Sequence, residues 1–220
     1  MVNKIKKYIL PFAVIFMGIS FTGAYFSDSV SVSGNTFTAG VWDAGDPEPP
    51  DSQSNGIVIN EVYYNPDIVH GGPNAEWIEI YNAGEMAINI KNWYFKNKST
   101  GVETINQNYI LDPGQFSVVC ANASTISNWP LIPSNAHKIA LDGSKLFNGL
   151  VNDGDNLQLF DSEGNPVDSL SWGSDISILN PSIVSAPQGG SSSRDPNGVD
   201  TDSYSDFTNS ISPTPGGPNV

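Results

Sequence analysis

The feature that most constrains this chain is its punctuation. From residue 56 onward, short apolar runs alternate with clusters of Gly, Pro, Asn and Asp at intervals too short for packed helices. The runs are Gly56–Tyr64, Glu76–Tyr81, Ala87–Phe95, Gln115–Ala121, Asn156–Phe160 and Val167–Trp172, with weaker ones near Thr104–Leu111 and Lys138–Leu141. Many alternate with period two, so they read as strands. Between them stand Asn65-Pro66-Asp67, Asp112-Pro113-Gly114, Asn152-Asp153-Gly154-Asp155 and Ser162-Glu163-Gly164-Asn165-Pro166. Gly and Asn there tolerate positive φ, and Pro presets φ for a turn. The last of these turns joins Asn156–Phe160 to Val167–Trp172 as a hairpin. An isolated sheet would leave its apolar face in water, so the repeated runs imply an all-β sandwich or barrel. With 21 Gly and 16 Pro, a helical bundle is excluded. From about Ser182 the chain turns rich in Ser, Gly, Asp and Pro, and an irregular surface path is expected there.

Charge and sulfur content narrow the function. Lys and Arg total 9 against 23 Asp and Glu, a net charge of −14, which disfavours a polyanionic partner. One Cys and two His exclude a disulfide framework and a Cys/His zinc cluster. Phe116, Val118 and Cys120 share one face of their run, so Cys120 reads as a buried small hydrophobe rather than a nucleophile.

The N-terminus has a basic region at Lys4, Lys6 and Lys7, an apolar run from Tyr8 to Phe21, and small residues at Thr22, Gly23 and Ala24. This is the layout of a secretory signal peptide cleaved after Ala24. The alternative is an uncleaved anchor, but the run is shorter than the roughly 20 residues of a spanning helix and contains Pro11. The adjoining stretch, AYFSDSVSVSGNTFTAGVWD at Ala24–Asp43, resembles the start of camelysin-type proteins. That resemblance implies release by a dedicated signal peptidase and a secreted or cell-surface location in a prokaryote. Asp43–Asn55 holds Pro47, Pro49 and Pro50 without apolar periodicity and reads as a semi-rigid acidic linker. The expected organisation is a signal peptide at 1–24, a camelysin-like segment at 25–42, a linker at 43–55 and a main domain at 56–219.

Within that domain, Ile57 to Pro66, then Glu76-Trp77-Ile78-Glu79-Ile80-Tyr81-Asn82, then Asn92-Trp93, look like the opening strands of a lamin-tail domain. Asp112-Pro113-Gly114-Gln115 resembles its central turn and Asn152 to Asp161 its late strand. Arg194-Asp195-Pro196 and Pro213-Thr214-Pro215-Gly216 resemble its close. The resemblance implies an immunoglobulin-like β-sandwich and a non-catalytic binding or tethering role. The alternatives are a self-assembling extracellular matrix subunit and an accessory protein of a secreted hydrolase or nuclease. The expected partner is a surface or extracellular protein or polysaccharide. Nucleic acid is not expected, and membrane contact would come only through an uncleaved signal segment.

Several side chains are candidates for chemistry. Glu61, Glu76 and Glu79 could pair as general acid and base, but Glu76 and Glu79 point to opposite faces of a strand, and the three read as hydrogen-bonding or solvated strand residues. His70 and His137 lack a Ser, Cys or Asp at catalytic spacing. Asp195, Asn197, Asp200 and Asp202, with Asp206 beyond, form an oxygen-rich Gly-containing loop, a candidate calcium site competing with a plain Asp-Pro-Asn-Gly turn. The loop departs from EF-hand spacing. Arg194 is the single arginine, and its planar fork suits pinning the returning C-terminal segment through carboxylates or carbonyls. Trp93 with Phe95 reads as core, whereas Trp129 beside Pro130 reads as an exposed ligand contact. Lys91, Lys96 and Lys98 surround Trp93 and Tyr94, a local basic patch with aromatics.

Overall fold

The structure is a computed structural model that describes residues 56–220. The expected signal peptide, camelysin-like segment and linker lie outside the described residues. Among the described residues, twelve strands build two facing sheets and a small ribbon. The large sheet contains β1 (Ile57–Tyr63), β2 (Trp77–Asn82), β7 (Phe116–Cys120), β8 (His137–Ala140), β11 (Ser191–Arg194) and β12 (Phe207–Ser210), in the order β12-β11-β1-β2-β7-β8. Facing it is a four-stranded sheet made of β4 (Tyr94–Asn97), β5 (Val102–Thr104), β9 (Gly154–Phe160) and β10 (Pro166–Gly173), in the order β10-β9-β4-β5. The ribbon pairs β3 (Ile88–Asn89) with β6 (Ile110–Leu111). Pairings within the large and small sheets are antiparallel except for β7 with β8, whose connection holds the short helix α1 (Ala123–Ser127). Asn122 caps α1, its side-chain oxygen accepting from the N–H groups of Ser124 and Thr125.

The core lies between the sheets. Ile57 and Ile59 of β1, Ile78 and Ile80 of β2, Phe95 of β4, Leu157 and Leu159 of β9, and Leu170 and Trp172 of β10 are completely buried there. Each such side chain contributes about 1.5–3 kcal/mol through burial. Tyr64 stacks on Trp172 with ring centroids 4.4 Å apart, and Trp172 Nε1–H donates to Val151 O at 2.9 Å. The expected hairpin of β9 and β10 forms. A second apolar cluster covers the outer face of the large sheet, where Tyr63, Trp77, Phe116, Val118, Cys120, Ile132 and Ala136 meet. Cys120 is buried as expected, and loss of hydration pushes its thiol up to about 11.

Three departures from the pattern have physical causes. Alternation in β1 breaks at a register shift between Ile59 and Glu61. Ile57 and Ile59 therefore face the core together with Val62 and Tyr64, while Glu61 and Tyr63 turn outward. The run Ala87–Phe95 divides between the ribbon and the four-stranded sheet, because Asn92 takes φ 64° and bends the chain. The segment after Ser182 is not irregular throughout. Ser191–Arg194 is a fully buried strand beside β1, and β12 pairs with it at the sheet edge. A Ser-Ser-Ser-Arg strand has no apolar period, so only its backbone pairing and polar partners place it.

Candidate functional site

Arg194 ends β11 with its side chain 1% exposed. Its Nη2 reaches both carboxylate oxygens of Asp168 on β10 at 3.0 and 2.9 Å, its Nε donates to Ile59 O at 2.9 Å, and its Nη1 donates to Val199 O at 2.6 Å. Asp206 and Asp200 lie 3.3 and 3.2 Å away. Phe207 supports the guanidinium from its face, 4.5 Å from ring centroid to Cζ. One side chain thus ties β1, β10 and the C-terminal strands together, as its planar fork suggested. Burial raises the Asp168 carboxyl to about 6, against the pull of Arg194 toward the charged form.

The candidate calcium loop is organised around this arginine. Asp200 turns to Arg194, and Asn197 Oδ1 accepts from Asn60 Nδ2 at 2.9 Å and from Asn219 N–H at 3.0 Å. Asp195 and Asp202 are exposed, and Asp202 N–H donates to Asp200 Oδ1 at 3.4 Å. Among the described residues, no group of three or more His, Cys, Asp or Glu side chains is placed to hold a metal ion.

Glu61 and Glu79 lie directly opposite one another on β1 and β2, both completely buried. Two carboxylates in that position would repel if ionised. Burial pushes Glu61 up to about 7 and, together with the neighbouring Glu61, holds Glu79 well above the usual carboxylate range. The C-terminal tail supplies donors to both. Thr214 donates to Glu61 through N–H at 3.2 Å and through its hydroxyl at 3.1 Å, and Gly216 N–H donates to Glu79 Oε2 at 2.6 Å. Ser191 Oγ also donates to Glu61, and Asn60 Nδ2 to Glu79 at 2.8 Å. Gly216 adopts φ +83°, and a Cβ there would stand 2.7 Å from Ile132 Cγ2. The sequence left open whether these acids were bonded or solvated. They are buried ties for the tail.

The segment 64–76 between β1 and β2 contributes to two concavities. One is an apolar groove of about 420 Å³ lined by His70, Trp129, Leu131, Pro133, Pro213 and Pro218. Trp129 is half-buried, a correction to its expected exposure. His70 stacks on it at 4.0 Å, while Tyr63 and Trp77 meet it edge-on at 5.2 and 5.8 Å. His70 Nδ1 pairs with Asp67 at 2.8 Å, and His137 Nε2 lies 2.8 Å from Ile110 O. The other concavity is a cleft of about 440 Å³ with a mixed polar and apolar lining. It is formed by the loops 64–76, 141–153 and 174–190, with Glu76, Lys145, Asn148, Asn152 and Gln188 among its lining. Glu76 Oε1 accepts from Leu150 N–H at 2.8 Å, but its Oε2 is buried without a partner. Burial raises this carboxyl to about 8. Sequence reasoning did not find the cleft, because its three loops are distant along the chain. The one available signal was a glutamate at the edge of an apolar run.

The basic and aromatic residues around Tyr94 sit elsewhere. Lys96 lies over the rings of Tyr94 and Phe160, at 5.3 and 4.8 Å from their centroids, and Lys98 donates to Gly154 O. Trp93 is buried in the core.

A family model described as Lamin Tail Domain matches residues 50–174, more than half of the chain. The match runs from before β1 through β10, and β11, β12 and the tail lie beyond it. No curated protein matches the chain.

Proposed function

Because the chain belongs to the lamin tail domain family, with its immunoglobulin-like sandwich, we propose that it is an exported, non-catalytic module that binds or tethers a surface or extracellular molecule. One observation supports this most directly. The 64–76 loop contributes to two concavities, one completed by residues 128–133 and the C-terminal tail and the other by loops 141–153 and 174–190, whereas Glu61, Glu79, Asp168 and Asp206 are engaged in holding strands and tail together. Loops on a rigid sandwich are the usual place for recognition. Chemistry would instead call for acids converging on an accessible cleft. Export is supported by the Lys4 to Ala24 pattern, with the mature chain starting at or near Tyr25.

The test combines location with binding. Cells are fractionated into membrane, wall and medium, the chain is blotted, and its N-terminus is sequenced. The exported chain is then mixed with isolated cell envelopes and sedimented. Recovery in the wall or medium without residues 1–24, and saturable sedimentation with envelopes, are the expected results. An intact Met1 in the membrane fraction would overturn export. Failure to sediment with envelopes, together with sedimentation coefficients that grow with concentration in their absence, would replace the binding module with a self-assembling subunit.

A further inference from the structure

We propose that the cleft between the loops 64–76, 141–153 and 174–190 binds a neutral sugar residue, with Glu76 and the amides of Asn148, Asn152 and Gln188 as its hydrogen-bonding set. This rests on the reading of the chain as a binding module and names the class of ligand.

Three observations carry it. First, the cleft measures about 440 Å³, within the roughly 300–1,000 Å³ typical of small-molecule sites. Second, Glu76 is 2% exposed, one oxygen accepts from Leu150 N–H, and the other is buried without a partner. A buried polar atom in this state stands out from the rest of the fold, and a hydrogen-bonding group entering the cleft beside Glu76 would supply its partner. With its carboxyl raised to about 8, Glu76 is predominantly neutral at pH 7 and can donate as well as accept. Third, the exposed rim is made of carboxamides at Asn74, Asn148, Asn152 and Gln188. Each carboxamide offers both a donor and an acceptor, which matches adjacent hydroxyls that do the same. Pro66, Pro73 and Leu150 supply apolar surface for the C–H face of a ring.

Charge argues against the other ligand classes. Lys145 is the only basic residue lining the cleft, in a chain of net charge −14, so an anion is poorly attracted. The same ammonium beside a single carboxyl disfavours a divalent cation, which needs several negative oxygens. A neutral polyhydroxylated ligand requires neither excess.

The experiment is ligand-observed and protein-observed NMR on the exported chain, with glucose, galactose, mannose, N-acetylglucosamine and rhamnose as probes. Calcium chloride alone forms a separate arm. At least one sugar is expected to shift the side-chain amide signals of Asn148 and Asn152 saturably. The double variant Asn148→Ala/Asn152→Ala should weaken that binding at least tenfold with an unchanged melting temperature. Glu76→Gln, which keeps both a donor and an acceptor, should preserve the fold and retain that binding, and Leu131→Ser in the apolar groove should leave it unchanged. The proposal is overturned if no sugar shifts the cleft signals, if binding survives the double variant, or if calcium alone shifts the Glu76 side chain. Envelope sedimentation separates this from the broader reading. If it persists in the double variant, the module binds through another surface and only the sugar assignment falls. Loss of envelope binding by the wild-type chain removes the broader reading itself.

Discussion

Replacing Arg194 by Met removes the one cation from the best-buried polar network in the fold. Asp168, 1% exposed at its side chain, loses its partner at 2.9 Å, while its Oδ2 still accepts from Ile59 N–H at 2.6 Å. The carbonyls of Ile59 and Val199 lose donors at 2.9 and 2.6 Å. Breaking a buried pair by removing one partner costs about 3–5 kcal/mol, a large share of the roughly 5–15 kcal/mol that holds a domain folded. The cost must depend on pH, and its sign can be worked out. Asp168 already titrates near 6 in the folded protein, above its ordinary value of 3.8, so its contribution to stability is complete below about 4 and declines as pH rises through 6. Without Arg194 the carboxyl is pushed higher still. Each pH unit over which the variant keeps Asp168 protonated while the wild type ionises it costs the variant about 1.4 kcal/mol. Between pH 6 and 7.5 the variant should therefore lose about 2 kcal/mol more than the wild type. Urea unfolding followed by tryptophan fluorescence at pH 5 and 7.5 measures this directly. Arg194→Lys should recover only part of the loss, since an ammonium cannot reach Asp168, Ile59 O and Val199 O together. Arg194→Met combined with Asp168→Asn should recover the pH-dependent part. A loss below about 1 kcal/mol at pH 7.5, or an equal loss at both pH values, would refute the reasoning.

Three further outcomes are expected. Glu76 titrates near 8 when folded and 4.5 otherwise, so the wild type loses stability as pH rises from 4.5 through 8, and Glu76→Gln should not. The variant should be more stable by a few kcal/mol at pH 7.5 with little difference at pH 4.5, read from urea midpoints at the two pH values. Gly216→Ala should destabilise by about 2 kcal/mol or more, since it combines a left-handed backbone with a Cβ 2.7 Å from Ile132. Limited proteolysis with mass spectrometry should then show cleavage in the tail. Fluorescence anisotropy with single-stranded DNA at physiological salt should show no tight binding, because six bases, Lys91, Lys96, Lys98, Lys138, Lys145 and Arg194, stand against 23 acids beyond residue 24. Tight, salt-resistant binding lost on Lys96→Glu/Lys98→Glu would contradict that.

Local chemistry encodes one part of this protein in the sequence alone. Alternating runs such as Gln115–Ala121 specified strands with one buried face, and the Ser162 to Pro166 turn specified the β9–β10 hairpin, because period-two patterning and turn residues act over a few positions. The role of Arg194 was legible because a lone guanidinium among acids has few favourable fates once buried. The rest depended on tertiary structure. A Ser-rich segment became the buried strand β11 only because β1 offered its edge and Glu61 accepted from Ser191. The register shift at Asn60 decided which side of β1 faced the core, and an opposed pair of glutamates became tolerable only beneath the Thr214 to Gly216 tail. The orphaned oxygen of Glu76 and the cleft around it come from loops 64–76, 141–153 and 174–190, whose meeting no local pattern records. Burial is a property of the assembled whole, and burial raised the carboxyls of Glu61, Glu79 and Glu76 above their usual range, turning two of them into hydrogen-bonded ties and leaving one with an unpaired oxygen.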